Sequence, residues 1–168
     1  MIILEGADCT GKTTLAETIA LRLNGIVQHC SYNEAWNMED YHRYTLHNAG
    51  RLEQNAGIPV VIDRWALSEA AYGNVFRGGE TYDTAALHNE ARMAYNPVFI
   101  YCTHDYTDVL HQVASMERGE MFDENVSVKR QFDELIASGR YGTYLSYNMF
   151  ENNMGDYITN VLQIGRAA

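Results

Sequence analysis

Gly6-Ala7-Asp8-Cys9-Thr10-Gly11-Lys12-Thr13 fits the pattern G-x-x-x-x-G-K-[ST], and its flanks give the pattern a physical meaning. The apolar run Ile2-Ile3-Leu4 before it reads as a buried strand. After it, Leu15, Ile19 and Leu23 recur at helical spacing on one face. Glycines let such a loop curl so that successive backbone N–H groups point at phosphate oxygens. The helix that follows presents its positive dipole end to the same anion. Lys12 then reaches the β- and γ-phosphates of a nucleoside triphosphate, and the Thr13 hydroxyl is placed to ligate Mg²⁺. Gly6, Ala7, Cys9, Thr10, Gly11, Lys12, Thr13 and Thr14 are the residues expected to wrap ATP.

Outward from this loop, apolar runs predict strands over residues 1–4, 26–28, 59–62, 98–102 and 143–149. Helical spacing predicts helices over 12–23, 37–55, 66–76, 83–95, 106–116, 126–137 and 156–164. Strand alternating with helix indicates βαβ units, hence a five-stranded parallel sheet with helices on both faces. No repeat, linker or low-complexity run divides residues 1–168, so a single domain is expected, with ligands at the carboxyl ends of the strands.

The 168 residues are enough for one buried core, and 46% apolar with 20% charged residues is an ordinary globular composition. No run approaches the roughly 20 apolar residues that cross a bilayer. The start Met1-Ile2-Ile3-Leu4-Glu5 has no basic leader, and three cysteines form neither a disulfide framework nor a zinc pattern. A cytoplasmic location is the expectation. Twelve basic against 22 acidic residues give a net charge of −10, which repels extended nucleic acid and argues against it as a partner. A small phosphorylated ligand needs only a local cluster of cations and N–H groups. A second copy of the chain remains open as a partner.

A second motif, Val60-Val61-Ile62-Asp63-Arg64-Trp65-Ala66-Leu67-Ser68-Glu69-Ala70-Ala71-Tyr72-Gly73, sets an Asp and an Arg at the mouth of a buried strand. With the loop, it resembles the thymidylate kinase family within the P-loop nucleotide and deoxynucleoside kinases, which pairs G-x-[DE]-x-x-G-K-[ST] with D-R-[aromatic]-x-x-S-x-x-A-Y-Q. Asp8 fits the acidic loop position; Asp63, Arg64, Trp65, Ser68, Ala71 and Tyr72 fit the second motif; Gly73 stands where the family has Gln. The resemblance implies a three-layer P-loop kinase fold with a short lid. It also implies that Asp63 holds Mg²⁺ through water, Arg64 binds the acceptor's phosphate and Asp8 meets the sugar 3′-hydroxyl. The chemistry agrees, because Asp is a hard oxygen ligand and Arg a planar fork for phosphate. A plain strand-end ion pair is the alternative for Asp63 and Arg64.

Residues 117–127 resemble the family's lid, with Arg118 as the candidate to neutralise the transferred phosphoryl and Lys129, Arg130 and Arg140 behind it. Gln112 stands where the family often has Arg, and Phe122-Asp123-Glu124-Asn125 lacks the usual Asp-Arg pair. The segment Cys30-Ser31-Tyr32-Asn33-Glu34-Ala35-Trp36 keeps only a Glu of the family's Arg-Glu-Pro-Gly. In deoxynucleoside kinases that region supplies a base for a sugar hydroxyl, so Glu34 is the candidate for that role. Among Trp36, Tyr41, Tyr44, Trp65 and Tyr72, at least one is expected to stack on a base. The six histidines read as structural or exposed.

The expected acceptor-binding set is therefore Asp8, Glu34, Trp36, Arg64, Ser68 and Tyr72. The catalytic set is Lys12, Arg64 and Arg118, and the metal set Thr13 and Asp63. The first reading is an ATP-dependent nucleoside monophosphate kinase acting on dTMP or a related dNMP in nucleotide biosynthesis. The second is a kinase of a deoxynucleoside or modified-base hydroxyl with Glu34 as base. The third is an NTP-binding regulatory module.

Overall fold

Five short strands and the helices between them form one parallel sheet covered on both faces, in a computed structural model that describes residues 1–105 and 122–167. The strands are β1 (Ile2–Glu5), β2 (Ile26–His29), β3 (Val60–Asp63), β4 (Val98–Cys102) and β5 (Leu145–Tyr147). The helices are α1 (Lys12–Leu23), α2 (Met38–Ala56), α3 (Ala66–Phe76), α4 (Thr84–Tyr95), α5 (Phe122–Ala137) and α6 (Met154–Ala167). Sheet order is β2-β3-β1-β4-β5, every neighbour parallel. The helix expected over 106–116 lies outside the described residues, as do residues 117–121 of the lid; residues 122–127 begin α5.

Alternation along each strand sorts the core into two layers. Ile2 and Leu4 join Leu15, Ile19, Ile158 and Val161 under α1 and α6. Ile3 points the other way, with Val60 and Ile62, to Leu46, Trp65 and Leu87 under α2, α3 and α4. A third cluster joins Leu67 and Ala71 of α3 to Val128 and Phe132 of α5. Strand β1 is buried along its whole length, whereas the edge strand β2 is half exposed.

The sequence boundaries shift by a few residues where backbone bonding overrides pattern. Pro59 has no N–H for the ladder and supplies only its carbonyl to Ile26 N (2.9 Å), so β3 starts at Val60 and ends on Asp63. Asn37 caps α2 by accepting from Asp40 N (3.2 Å), and Asp83 caps α4 by accepting from Ala86 N (3.0 Å). Strand β5 is three residues long, against the seven expected. Among the described residues no helix is long and apolar enough to cross a membrane.

Candidate active site

The loop between β1 and α1 is shaped by close approach and left-handed turns. A Cβ on Gly6 would sit 2.2 Å from the Cys102 carbonyl oxygen, so only glycine lets β1 and β4 stay paired there. Cys9 (φ 63°) and Gly11 (φ 74°) are both left-handed. The turn is braced from inside: Thr10 Oγ1 donates to the Ala7 carbonyl (2.9 Å), and His104 Nε2 donates to that of Cys9 (2.9 Å). The first turn of α1 leaves its N–H groups without intrahelical partners at this end.

Lys12 and Thr13 open that helix. Lys12 Nζ, almost fully buried, stands 3.7 Å from Asp63 Oδ1, and Thr13 Oγ1 donates to Asp63 Oδ2 (2.7 Å). Asp63 itself is wholly buried, and its Oδ1 has no hydrogen-bond partner. A buried carboxylate oxygen left unbonded beside a hydroxyl suits a hard cation, so the residues fit Mg²⁺. Among the described residues no group of three His, Cys, Asp or Glu is arranged to hold a metal alone. His29 Nδ1 also donates to Asp63 Oδ2 (3.0 Å), because β2 and β3 run in register there. Periodicity gave no hint of that contact.

Arg64 follows in a left-handed conformation (φ 66°), its N–H bonded to the Leu4 carbonyl (3.0 Å). This reversal turns the guanidinium toward the loop, where it pairs with Asp8. Trp65, the N-cap of α3, offers no side-chain cap. Glu5 supplies one from β1: its carboxylate accepts from the N–H groups of Leu67 (3.1 Å) and Ser68 (3.1 Å) and from the Ser68 hydroxyl. Burial pushes the Glu5 carboxyl up to about 7, although those bonds and nearby Lys12 pull it down. Sequence reading passed over Glu5, since nothing in its position beside Gly6 shows what its carboxylate faces.

A cavity of about 250 Å³ opens along α3 beyond Arg64. Arg64, Trp65, Ser68, Glu69, Tyr72, Phe76 and Arg77 form one wall, with Tyr32, Met38 and His42 opposite. Arg77 donates to Glu69 Oε1 (2.7 Å), which also accepts from the Thr81 hydroxyl (3.0 Å), and the guanidinium lies 4.0 Å from the Tyr32 ring centre. Gly73 explains its departure from the Gln of the resembling family. A Cβ there would lie 2.5 Å from the Gly79 carbonyl, which folds back to close this wall. A larger cavity, about 330 Å³, lies at the other end of the sheet between Met1, Leu23, Pro59 and Val98, away from the loop.

The structure brings Lys12, Thr13, Asp63, Asp8 and Arg64 together, with Ser68 and Tyr72 in the adjoining cavity. Glu34 and Trp36 instead stand in the exposed turn before α2, outside that lining; Trp36 packs on Tyr41 (5.0 Å between ring centres). Tyr44 is exposed, so of the five aromatics weighed for stacking only Trp65 and Tyr72 line the cavity. Arg118 lies outside the described residues. Of the cations behind it, Lys129 pairs with Asp133 and Arg140 lies near Glu80 and Asp83. Tyr32, Glu69 and Arg77 were not singled out, because the signal joining them is a contact between distant residues.

No family profile and no curated protein sequence matches the chain. Solved structures do match in fold. The YorR protein of Bacillus subtilis, in complex with phosphorylated GDP, is similar at 16% identity and a TM-score of 0.72, over 98% of this chain and 95% of that one. Deoxyadenosine kinase of M. mycoides, with the products dCMP and dCDP, is similar at 14% identity and a TM-score of 0.60, over 99% of each chain. Thymidylate kinase of Candida albicans is similar at 17% identity and a TM-score of 0.55, over 99% of this chain and 90% of that one. The chain thus has the fold of the P-loop nucleotide and deoxynucleoside kinases, its phosphate loop and its Asp63–Arg64 strand end lying together at the carboxyl edge of the sheet.

Proposed function

We propose that the chain is an ATP-dependent kinase whose acceptor is a nucleoside monophosphate, dTMP or a related dNMP. The observation that carries this reading is the position of Arg64. Its guanidinium sits between the phosphate loop and the mouth of the α3 cavity, beside Asp8, where a second phosphate would meet the transferred one. A regulatory NTP switch has no use for a cation there. A hydroxyl acceptor needs a base, and Glu34, its candidate, stands in an exposed turn outside the cavity lining.

In this reading the loop N–H groups and Lys12 hold the β- and γ-phosphates, while Thr13 and Asp63 would hold Mg²⁺. The metal supplies charge neutralisation on the phosphate oxygens. Arg64 leaves Asp8 for the acceptor's phosphate and orients its oxygen in line with the γ-phosphorus. Asp8 then accepts from the sugar 3′-hydroxyl. Arg118, at the lid, takes the charge that develops on the transferred group. The base enters the cavity along Tyr72 and Phe76, with the Glu69–Arg77 pair at its far edge offering one acceptor and one donor face. A cytoplasmic role in nucleotide biosynthesis fits this chemistry.

The test is a panel of deoxynucleosides and their monophosphates incubated with γ-labelled ATP and Mg²⁺. A labelled diphosphate from dTMP or another dNMP is expected. Label appearing only on deoxynucleosides would replace this reading with the hydroxyl kinase, and ATP binding with no transfer at all would leave the regulatory module.

A further inference from the structure

We infer that His29 is a positioning residue for the divalent cation: by holding one oxygen of Asp63, it leaves the other to the metal. The inference deepens the donor half of the reading above and rests on it. A carboxylate only accepts hydrogen bonds, on two oxygens with about two lone pairs each. Asp63 Oδ2 takes two donors, the Thr13 hydroxyl (2.7 Å) and His29 Nδ1–H (3.0 Å). Oδ1 has no hydrogen-bond partner, and Lys12 Nζ stands 3.7 Å from it. The oxygens are thus divided: Oδ2 is committed to protein, and Oδ1 is left to the cation or to its water. Thr13, having given its one proton to Oδ2, keeps its lone pairs for the same ion.

Two donors are needed because the torsion that turns a carboxylate is a soft one. The Thr13 hydroxyl alone is a pivot, about which the group can swing toward Lys12. His29 supplies the second point, and it does so from a different element. It is the partner of Asp63 in the parallel ladder between β2 and β3, and the Cys30 N–H bonds the Asp63 carbonyl (2.9 Å). Backbone pairing thus keeps the imidazole beside the carboxylate. Because the acceptor is a carboxylate, Nδ1 carries the proton, and a neutral ring suffices for the bond. Such a bond steadies Asp63 without adding a charge that repels the metal. The imidazole is half exposed, so its removal takes little from the core.

The test needs no acceptor, so its failure is distinct from that of the acceptor assay. Protein in excess over the ATP analogue AMP-PNP is titrated with Mn²⁺, and the free ion is read by its EPR signal. H29A is expected to bind Mn²⁺ about 10-fold more weakly, while its affinity for AMP-PNP in EDTA stays within about two-fold of wild type. H29N, whose amide N–H stands where Nδ1 does, is expected to recover most of the loss. H29Q, whose amide falls where Nε2 does, is not. A merely structural contact would separate neither metal from nucleotide nor H29N from H29Q. If H29A does not fold, the H29N and H29Q pair decides. H29A binding Mn²⁺ like wild type, or H29N binding it no better than H29Q, overturns the inference and leaves the kinase reading standing. A wild-type protein that binds neither AMP-PNP nor Mn²⁺ overturns both.

Discussion

The phosphate loop and the α3 wall touch at Asp8 and Arg64, yet they are made of different material. The loop is backbone: two left-handed residues, a glycine pressed against the Cys102 carbonyl, and the open end of α1. The wall is side chains in pairs drawn from separate elements: Glu5 with Ser68, Arg77 with Glu69, His42 with Tyr82. A backbone cradle tolerates few residues at each position and therefore leaves a motif. A paired wall can be built in many ways, provided each buried polar group finds a partner. The two halves should accordingly fail in different ways when disturbed.

The largest effect belongs to the loop. Lys12→Ala removes a buried cation from the place where charge develops, and not a core contact. Turnover should fall by about 10³-fold or more, and thermal stability should fall as well, because wholly buried Asp63 loses the cation 3.7 Å from its Oδ1. Steady-state kinetics alongside a melting curve check this. Near-normal turnover would detach the loop from the chemistry.

The wall is sensitive to acid. His42 lines the cavity and bonds Tyr82, and burial lowers its pKa from 6.5 to about 4. Its folded-state pKa is depressed, so the fold refuses a proton that the unfolded chain accepts. Stability is then full above about pH 6.5 and declines as pH falls toward 4. His88, stacked on Phe99 and lowered to about 3, acts in the same sense. Glu5, raised to about 7, acts in the opposite sense, its contribution improving as pH falls from 7 toward 4.5. A direct scan of the wild-type protein would mix these. Comparison with His42→Gln separates them: the stability difference should shrink by up to about 3 kcal/mol between pH 6.5 and 4 in denaturant titrations. A difference that does not change with pH would mean His42 is protonated in the fold.

The same contrast explains what was legible in the sequence. Helices α1 and α3 match their expected limits, since Gly11 and the Asp63-Arg64 turn punctuate them. The sheet was readable because buried parallel strands are continuous apolar runs, and β5, with three residues and one buried side chain, was the least so. Lys12 and Thr13 were readable because the motif spacing carries them, and Asp63 only through the resemblance of its Asp-Arg motif, since its partner Thr13 stands 50 residues away. Glu5, His29, Glu69 and Arg77 were not, because each takes its place from a partner 8 to 63 residues away. The same lack of a local signal left Glu34 to be weighed by resemblance and Trp36 by its aromatic ring, and both stand in the exposed turn.

The junction between the two halves carries the central claim, that Arg64 receives a phosphate. The most direct measurement is transfer from ATP to dTMP and to thymidine by wild type, Arg64→Ala and Glu34→Gln, assayed side by side. A charge-assisted contact worth about 1.5–3 kcal/mol predicts that Arg64→Ala raises the dTMP KM roughly 10- to 150-fold, with the ATP KM much less affected. Glu34→Gln should change little, since a phosphate oxygen needs no base. Transfer to thymidine but not to dTMP, abolished by Glu34→Gln and indifferent to Arg64→Ala, would contradict the account.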